Sequence, residues 1–248
     1  MIRGAMLDSF NELKIHSLRI DWNKISENSY LRKIPTISSI ETLEFRSPVT
    51  FFVGENGSGK STLLEAIAVA YGFNPEGGTR NYNFSTYDSH SELCDAITLS
   101  KGVSRARWGY FLRAESFYNV ATAEEEYSRG GGEPLRLHSR SHGESFLAAA
   151  QANFKPNGLY LLDEPEAALS PQRQMTMLVE IAQCAKQGSQ FFIATHSPIL
   201  LSIPDAEILS FDGDRIHSCG YEDTDSYKIT GMFINDREHI LDLLLREE

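Results

Sequence analysis

The stretch that decides the fold is Pro48–Thr62, PVTFFVGENGSGKST. A short apolar β-type run, Val49 to Val53, enters a glycine-rich turn, and a helical pattern begins directly after it. Within the turn the spacing G-x-x-x-x-G-K-S is met by Gly54, Gly59, Lys60 and Ser61, with Glu55, Asn56, Gly57 and Ser58 between them and Thr62 after. Glycines at these places let the backbone curl so that successive N–H groups converge on one point, which suits phosphate oxygens. A lysine there reaches the outer phosphates, the serine hydroxyl is a ligand for Mg²⁺, and the helix N-terminus adds a favourable dipole. The segment therefore reads as a nucleotide-phosphate site, and a strand before it with a helix after it predicts an α/β domain.

Outward from that site, STLLEAIAVAYG puts Leu63, Leu64, Ile67, Ala68 and Tyr71 on one helical face, with Gly72 as the stop. Upstream, Leu13–Asp21 and Ile40–Arg46 read as two strands, predicting a small antiparallel sheet beside a parallel core. Downstream, residues 74–91 read as loop, Trp108–Arg113 as a strand, residues 114–127 as helical, and 129–134 (RGGGEP) as a connector. A helix pattern opens at Ser141, and Leu159–Leu162 is a buried strand ending in Asp163-Glu164-Pro165. Ser170-Pro171 starts another helix, whose inward face is expected to be Leu178, Ile181, Ala182 and Ala185, with Gly188 as its stop. Phe191–Ala194 is a further buried strand and ends at Thr195-His196. Near the C-terminus, Glu207–Phe211 and Arg215–Cys219 flank Asp212-Gly213, a hairpin signal, and 236–246 is amphipathic. Strand and helix alternating around a phosphate loop predict a mainly parallel sheet.

The chain has 248 residues and a formal net charge of −11. From Asp205 onward there are twelve acids against four bases, whereas Lys101, Arg105, Arg107 and Arg113 fall in thirteen residues without an acid. The global charge opposes non-specific nucleic-acid binding, yet leaves room for a local basic face. Cys94, Cys184 and Cys219 are widely spaced and form no C-x-x-C pair, which argues against a disulfide framework or a zinc site. With neither a membrane-length apolar run nor a leader pattern, a reduced, cytoplasmic setting without an integral membrane segment is expected.

A buried strand ending in Asp-Glu suits Mg²⁺-nucleotide chemistry: Asp163 can hold the metal, and Glu164 can polarise an attacking water. His196 ends the next strand, and strand C-termini line the ligand crevice of parallel sheets, so it becomes a candidate near the γ-phosphate.

Three stretches taken together, Gly54–Thr62, LYLLDEPEAALSP and IATHSP, resemble the ATP-binding-cassette (ABC) ATPase superfamily, in the order of its Walker A, Walker B with D-loop, and H-loop. The flavour is that of the SMC, RecF and OLD-like branch, and more narrowly of small stand-alone bacterial ABC-type ATPases. The resemblance implies a P-loop NTPase head over residues 1–248, with an N-terminal antiparallel β subdomain. It also implies an inserted, signature-bearing helical subdomain at about 74–157. About 80 residues separate Lys60 from Ser141, too few for a long coiled-coil arm. In the signature's position stands Arg140-Ser141-His142-Gly143-Glu144-Ser145, in which Ser141, Gly143 and Glu144 match and Arg140 and His142 depart. Ser141-x-x-Glu144 is also a capping box, which is compatible with a phosphate-binding helix start.

In that family the signature meets the nucleotide of a second subunit. The resemblance therefore implies a homodimer in the ATP state, with Ala168-Leu169-Ser170 at the seam. The Q-loop glutamine is missing from Phe111-Leu112-Arg113-Ala114-Glu115-Ser116; Arg113 toward phosphate, or Glu115 toward metal or water, are the substitutes on hand. Trp22, Tyr30 and Phe45 are equally open as the adenine-contacting aromatic. The implied activity is Mg²⁺-dependent ATP hydrolysis driving a dimeric switch on DNA or an effector protein. The alternatives are the nucleotide-binding subunit of a membrane transporter and an ATP-gated dimerisation module with negligible turnover.

Overall fold

A computed structural model describes residues 13–80, 91–117 and 142–246. Two sheets organise it. The larger has seven strands in the order β10-β9-β3-β8-β7-β6-β4: β3 is Val49–Val53, β4 Gly78–Thr79, β6 Trp108–Arg113, β7 Gly158–Asp163, β8 Gln190–Ala194, β9 Glu207–Ser210 and β10 His217–Ser218. The five inner strands, β9 to β6, pair in parallel, and the edge strands β10 and β4 are antiparallel. Every residue of β3, β7 and β8 is buried, because helices or the second sheet cover both faces of a parallel sheet; hence VTFFV and QFFIA are almost continuously apolar.

Successive residues of these strands feed opposite cores. Phe52, Leu161 and Phe192 enter one, together with Leu63, Leu64 and Ile67 of the helix α2 (Lys60–Tyr71). Phe51, Leu162 and Ile193 enter the other, against the helices α4 (His142–Asn153) and α5 (Pro171–Lys186). On α5 the buried stripe is Met177, Ile181 and Cys184, while Leu178, Ala182 and Ala185 are only half-buried. The expected inward face is therefore corrected by about one residue. The i, i+4, i+7 stripe that reaches the sheet includes a methionine and a cysteine, which alanine counting passes over.

The smaller sheet, β2-β1-β5, is wholly antiparallel: β1 is Ile15–Ile20, β2 Thr42–Glu44 and β5 Ile97–Lys101. The first two strands were legible in the sequence; the third comes from beyond α2. The stretch 74–157 is accordingly not uniformly helical, since β4, β5 and β6 lie in it and join the two sheets. The helical pattern at 114–127 and the connector at 129–134 fall almost entirely outside the described residues. Short helices α1 (Pro35–Ser38) and α3 (Leu93–Ala96) pack on the first core. After the hairpin, α6 (Asp225–Asn235) precedes α7 (Arg237–Leu244); Thr224 caps α6 by accepting the Tyr227 N–H at 3.3 Å. Of these two helices, the amphipathic pattern at 236–246 predicts only the second. The three cysteines carry no disulfide, and no described helix is long and apolar enough to cross a membrane.

Candidate active site at the strand C-termini

β3 delivers the chain into the turn Gly54–Gly59, and α2 leaves it. Gly59 stands at φ +99°, and a Cβ there would come within 2.6 Å of Ile37 Cγ1, so both its torsion and its packing demand glycine. No side chain caps α2, so its first N–H groups remain available to an anion. The loop is clamped from two sides. Thr36 Oγ1 donates to the Ser58 carbonyl at 2.6 Å, and the Glu55 N–H donates to Asp212 Oδ1 at 3.0 Å. By sequence Asp212 is a hairpin-turn residue; it follows β9, and that strand's place beside β3 brings its carboxylate to the loop.

Lys60 is 4% exposed and donates to the carbonyls of Gly54 and Glu55, at 2.6 and 2.8 Å. Burial lowers its pKa, while the carboxylates of Glu164, Asp212, Asp163 and Glu166 pull in the other direction. The neighbouring Ser61 Oγ donates to Asp163 Oδ1 at 2.8 Å. A hydroxyl and a carboxylate thus already converge as hard oxygen donors, the chemistry Mg²⁺ prefers, so the residues fit such an ion.

Asp163 is placed by β7, and across the β6–β7 register it lies opposite Arg113. Arg113 Nε is 3.4 Å from Asp163 Oδ2, and its Nη1 is 2.6 Å from Glu65 Oε2. The guanidinium therefore faces two carboxylates, not an open phosphate position. Burial raises the Asp163 pKa most, Arg113 and Ser61 oppose that rise, and Glu164 and Glu115 add to it. Glu115 is exposed, on the turn after β6. Glu65 was missed in the sequence, although a signal existed: it lies four residues after Ser61, on the same helical face.

Glu164 sits at φ +49°, a left-handed conformation that is costly for a residue with a side chain, and its N–H is held by the Ala194 carbonyl at 2.9 Å. Two residues on, Glu166 accepts from Thr195 Oγ1 at 2.7 Å and from the His196 N–H. It joins the turn after β7 to the turn after β8, and so fixes the backbone of the exposed His196. No local pattern distinguishes this second glutamate of EPEAALSP from an ordinary turn acid. A cavity of ≈ 500 Å³ opens beside the loop, lined by Gly54, Glu55, Asn56, His196, Asp212 and the first turns of α6.

Of the signature-position residues, Ser141 lies outside the described residues. Gly143 and Glu144 lie against their own chain's D-loop region: Glu144 Oε1 is 3.0 Å from Arg173 Nη2. A Cβ on Gly143 would stand 2.6 Å from the Ala168 carbonyl. Gly143→Ala is thus expected to force the two segments apart and to lower stability by about 1–3 kcal/mol; an unchanged thermal midpoint would show that the contact gives way freely. Among the open adenine candidates, Phe45 is excluded because it is fully buried, 4.6 Å from Phe192 in an edge-on pair. Trp22 is partly buried beneath Arg32, and Tyr30 is 53% exposed.

This fold and site define a P-loop nucleotide-binding domain with a parallel core. Residues 30–122 match a family model described as an AAA domain, and 98–202 match one described as an AAA domain, putative AbiEii toxin, Type IV TA system. The thiamine import ATP-binding protein ThiQ of Cereibacter sphaeroides is 32% identical over 168 residues, 59% of this chain and 69% of that protein. The ribose import ATP-binding protein RbsA 2 of Burkholderia ambifaria is 24% identical over 229 residues, 82% of this chain but only 44% of that protein. The chain thus spans less than half the length of this relative. Among solved structures, the SMC head domain of Thermotoga maritima aligns with TM-score 0.46 and 16% identity, over 84% of this chain and 98% of that one. The chain belongs to the ABC-type ATPase family.

Proposed function

We propose that the chain is a Mg²⁺-dependent ATPase that works as an ATP-gated homodimeric switch acting on nucleic acid or a partner protein. The observation that carries this reading is the Ser61–Asp163 hydrogen bond, with Glu164 next in the chain and His196 at the end of the neighbouring strand. In this reading Gly54–Thr62 binds the triphosphate through backbone N–H groups, and Lys60 exchanges its loop carbonyls for phosphate oxygens. Mg²⁺, held by Ser61 and Asp163, would neutralise charge developing on the phosphates. Glu164 accepts the proton of the attacking water, and His196 contacts the γ-phosphate side. Arg113 holds Asp163 and Glu65 in place, and Glu115 lies at the edge of the metal side. Ser141, Gly143 and Glu144 serve the nucleotide of a second copy, so hydrolysis requires a closed pair.

A second reading, the ATP-binding subunit of a transporter, is favoured by the names of the import relatives. Against it stands Arg113 in the glutamine's position, already engaged by two acids. Co-purification with a membrane protein would decide for that reading.

The test is the solution mass of Glu164→Gln by light scattering. Saturating ATP is expected to double it, and adding Ser141→Arg is expected to abolish the doubling. If Glu164→Gln remains monomeric with ATP bound, the shared-site reading fails.

A further inference from the structure

The basic cluster seen in the sequence divides in the fold. Arg113 is drawn into the active site, whereas Lys101 and Arg105 line a separate cleft of ≈ 680 Å³ with Lys14, Arg80 and Tyr71. The cleft lies at the opposite end of α2 from the P-loop: Tyr71 ends the twelve-residue helix that Lys60 begins, a rise of about 16 Å. Lys14 is 2% exposed, and its ammonium donates to Ser104 Oγ at 3.0 Å. The Lys101 ammonium stands 4.7 Å, and the Arg80 guanidinium 5.6 Å, from the centroid of the same Tyr71 ring. Arg80 also donates to the Ala106 carbonyl at 3.2 Å, and the Ala106 N–H donates to Tyr71 Oη at 3.4 Å, so ring and turn form one wall.

No acidic side chain among the described residues lines the cleft, and Arg80, Lys101 and Arg105 form no ion pair with a described carboxylate. Arg80, Lys101 and Arg105, gathered at one recess, repel each other. Contact with the Tyr71 ring, made by Arg80 and Lys101 alone, offsets only part of that cost. In a chain of net charge −11, such a concentration makes a local positive field that a polyanion complements.

Beyond the rim, the Arg107 N–H donates to the Asn157 carbonyl at 2.9 Å and joins the β5–β6 turn to the turn before β7. There Trp108, 49% exposed, carries the Lys155 ammonium 4.3 Å from its ring centroid. Cations that track a backbone, followed by an exposed indole, are the features by which single strands are held: phosphates in a positive groove and a base stacked on an aromatic ring. A free oligophosphate would use the cleft and leave Trp108 idle.

We propose that this cleft is a second phosphate-recognising site that takes the backbone of a single nucleic-acid strand, with Trp108 at its exit. It is independent of the ATP-switch reading, because every residue in it lies away from the P-loop and its occupation needs no nucleotide. The test is fluorescence anisotropy on nucleotide-free protein with a labelled twelve-base single-stranded DNA, and with inorganic triphosphate as competitor. The proteins compared are wild type, Lys101→Glu/Arg105→Glu, Trp108→Ala and Lys60→Ala.

Binding of the oligonucleotide is expected to weaken at least tenfold in the double variant and several-fold in Trp108→Ala, and to stay unchanged in Lys60→Ala. Three or four phosphate contacts predict a slope of log affinity on log salt of about −2 to −3, shallower in the double variant. Lys101 and Arg105 are exposed, so the double variant should fold, and its retained ATP binding at the P-loop checks that. Oligonucleotide binding lost in Lys60→Ala but kept in the double variant would assign the strand to the P-loop and overturn the proposal. Binding of triphosphate alone, or of neither probe, would also overturn it.

Discussion

Glu164→Gln is expected to lower ATP turnover by about 10²–10⁴-fold while leaving nucleotide affinity nearly unchanged. The amide keeps the size of the carboxylate but cannot take a proton from water, so the loss should fall on kcat and spare KM. The backbone supports the assignment. Glu164 is held at φ +49° with its N–H on the Ala194 carbonyl, a conformation of cost about 1–3 kcal/mol that would serve little purpose for a simple turn. Steady-state phosphate release, with nucleotide affinity measured in parallel, separates the two quantities. A variant that hydrolyses ATP at the wild-type rate would remove Glu164 from the chemistry.

The second large effect concerns Arg113. Replacing it with alanine strips the counter-charge from two mostly buried carboxylates, Glu65 and Asp163, whose side chains are 16% and 9% exposed. Breaking one side of a buried ion pair costs about 3–5 kcal/mol, so a marked fall in thermal midpoint is expected near neutral pH. The sign of its pH dependence follows from Asp163. Its pKa is already raised in the fold, chiefly by burial, and Arg113 is the main influence holding it down. Without Arg113 it rises further, and the folded state binds more protons than the unfolded one above the ordinary carboxylate range. Stability of the variant therefore falls as pH rises through that window and recovers as pH drops. The gap between wild type and Arg113→Ala should accordingly narrow toward acidic pH. A gap independent of pH would mean that lost packing of the arginine stem, not charge, dominates.

Most of the architecture was legible because it rests on local rules. Val49–Val53, Gly158–Asp163 and Gln190–Ala194 are apolar throughout, since a strand covered on both faces has no polar side to show, and the glycine spacing of 54–59 has one conformational use. The candidate site residues contributed by these segments, Lys60, Ser61, Asp163, Glu164 and His196, follow from being at their ends. What stayed hidden is long-range. Asp212 looks like an ordinary hairpin residue until β9 is known to lie beside β3. Glu166 looks like a helix-turn acid until Thr195 and His196 are brought to it. Arg113 and Glu115 are both open in the sequence as substitutes for a glutamine, and the register of Arg113 opposite Asp163 decides that it pairs with carboxylates.

The phosphate loop, its flanking strand and helix, and membership of the P-loop class were determined by Pro48–Thr62 itself, because torsion preferences and hydrophobic period act over neighbouring residues. The tertiary structure alone decided which carboxylates surround Lys60, where Arg113 points, and that Lys14, Arg80, Lys101 and Arg105 share one cleft. Those outcomes depend on strand order and register, which bring together residues as far apart as Lys14 and Arg105 or Ser61 and Asp163, and no local pattern encodes such a meeting.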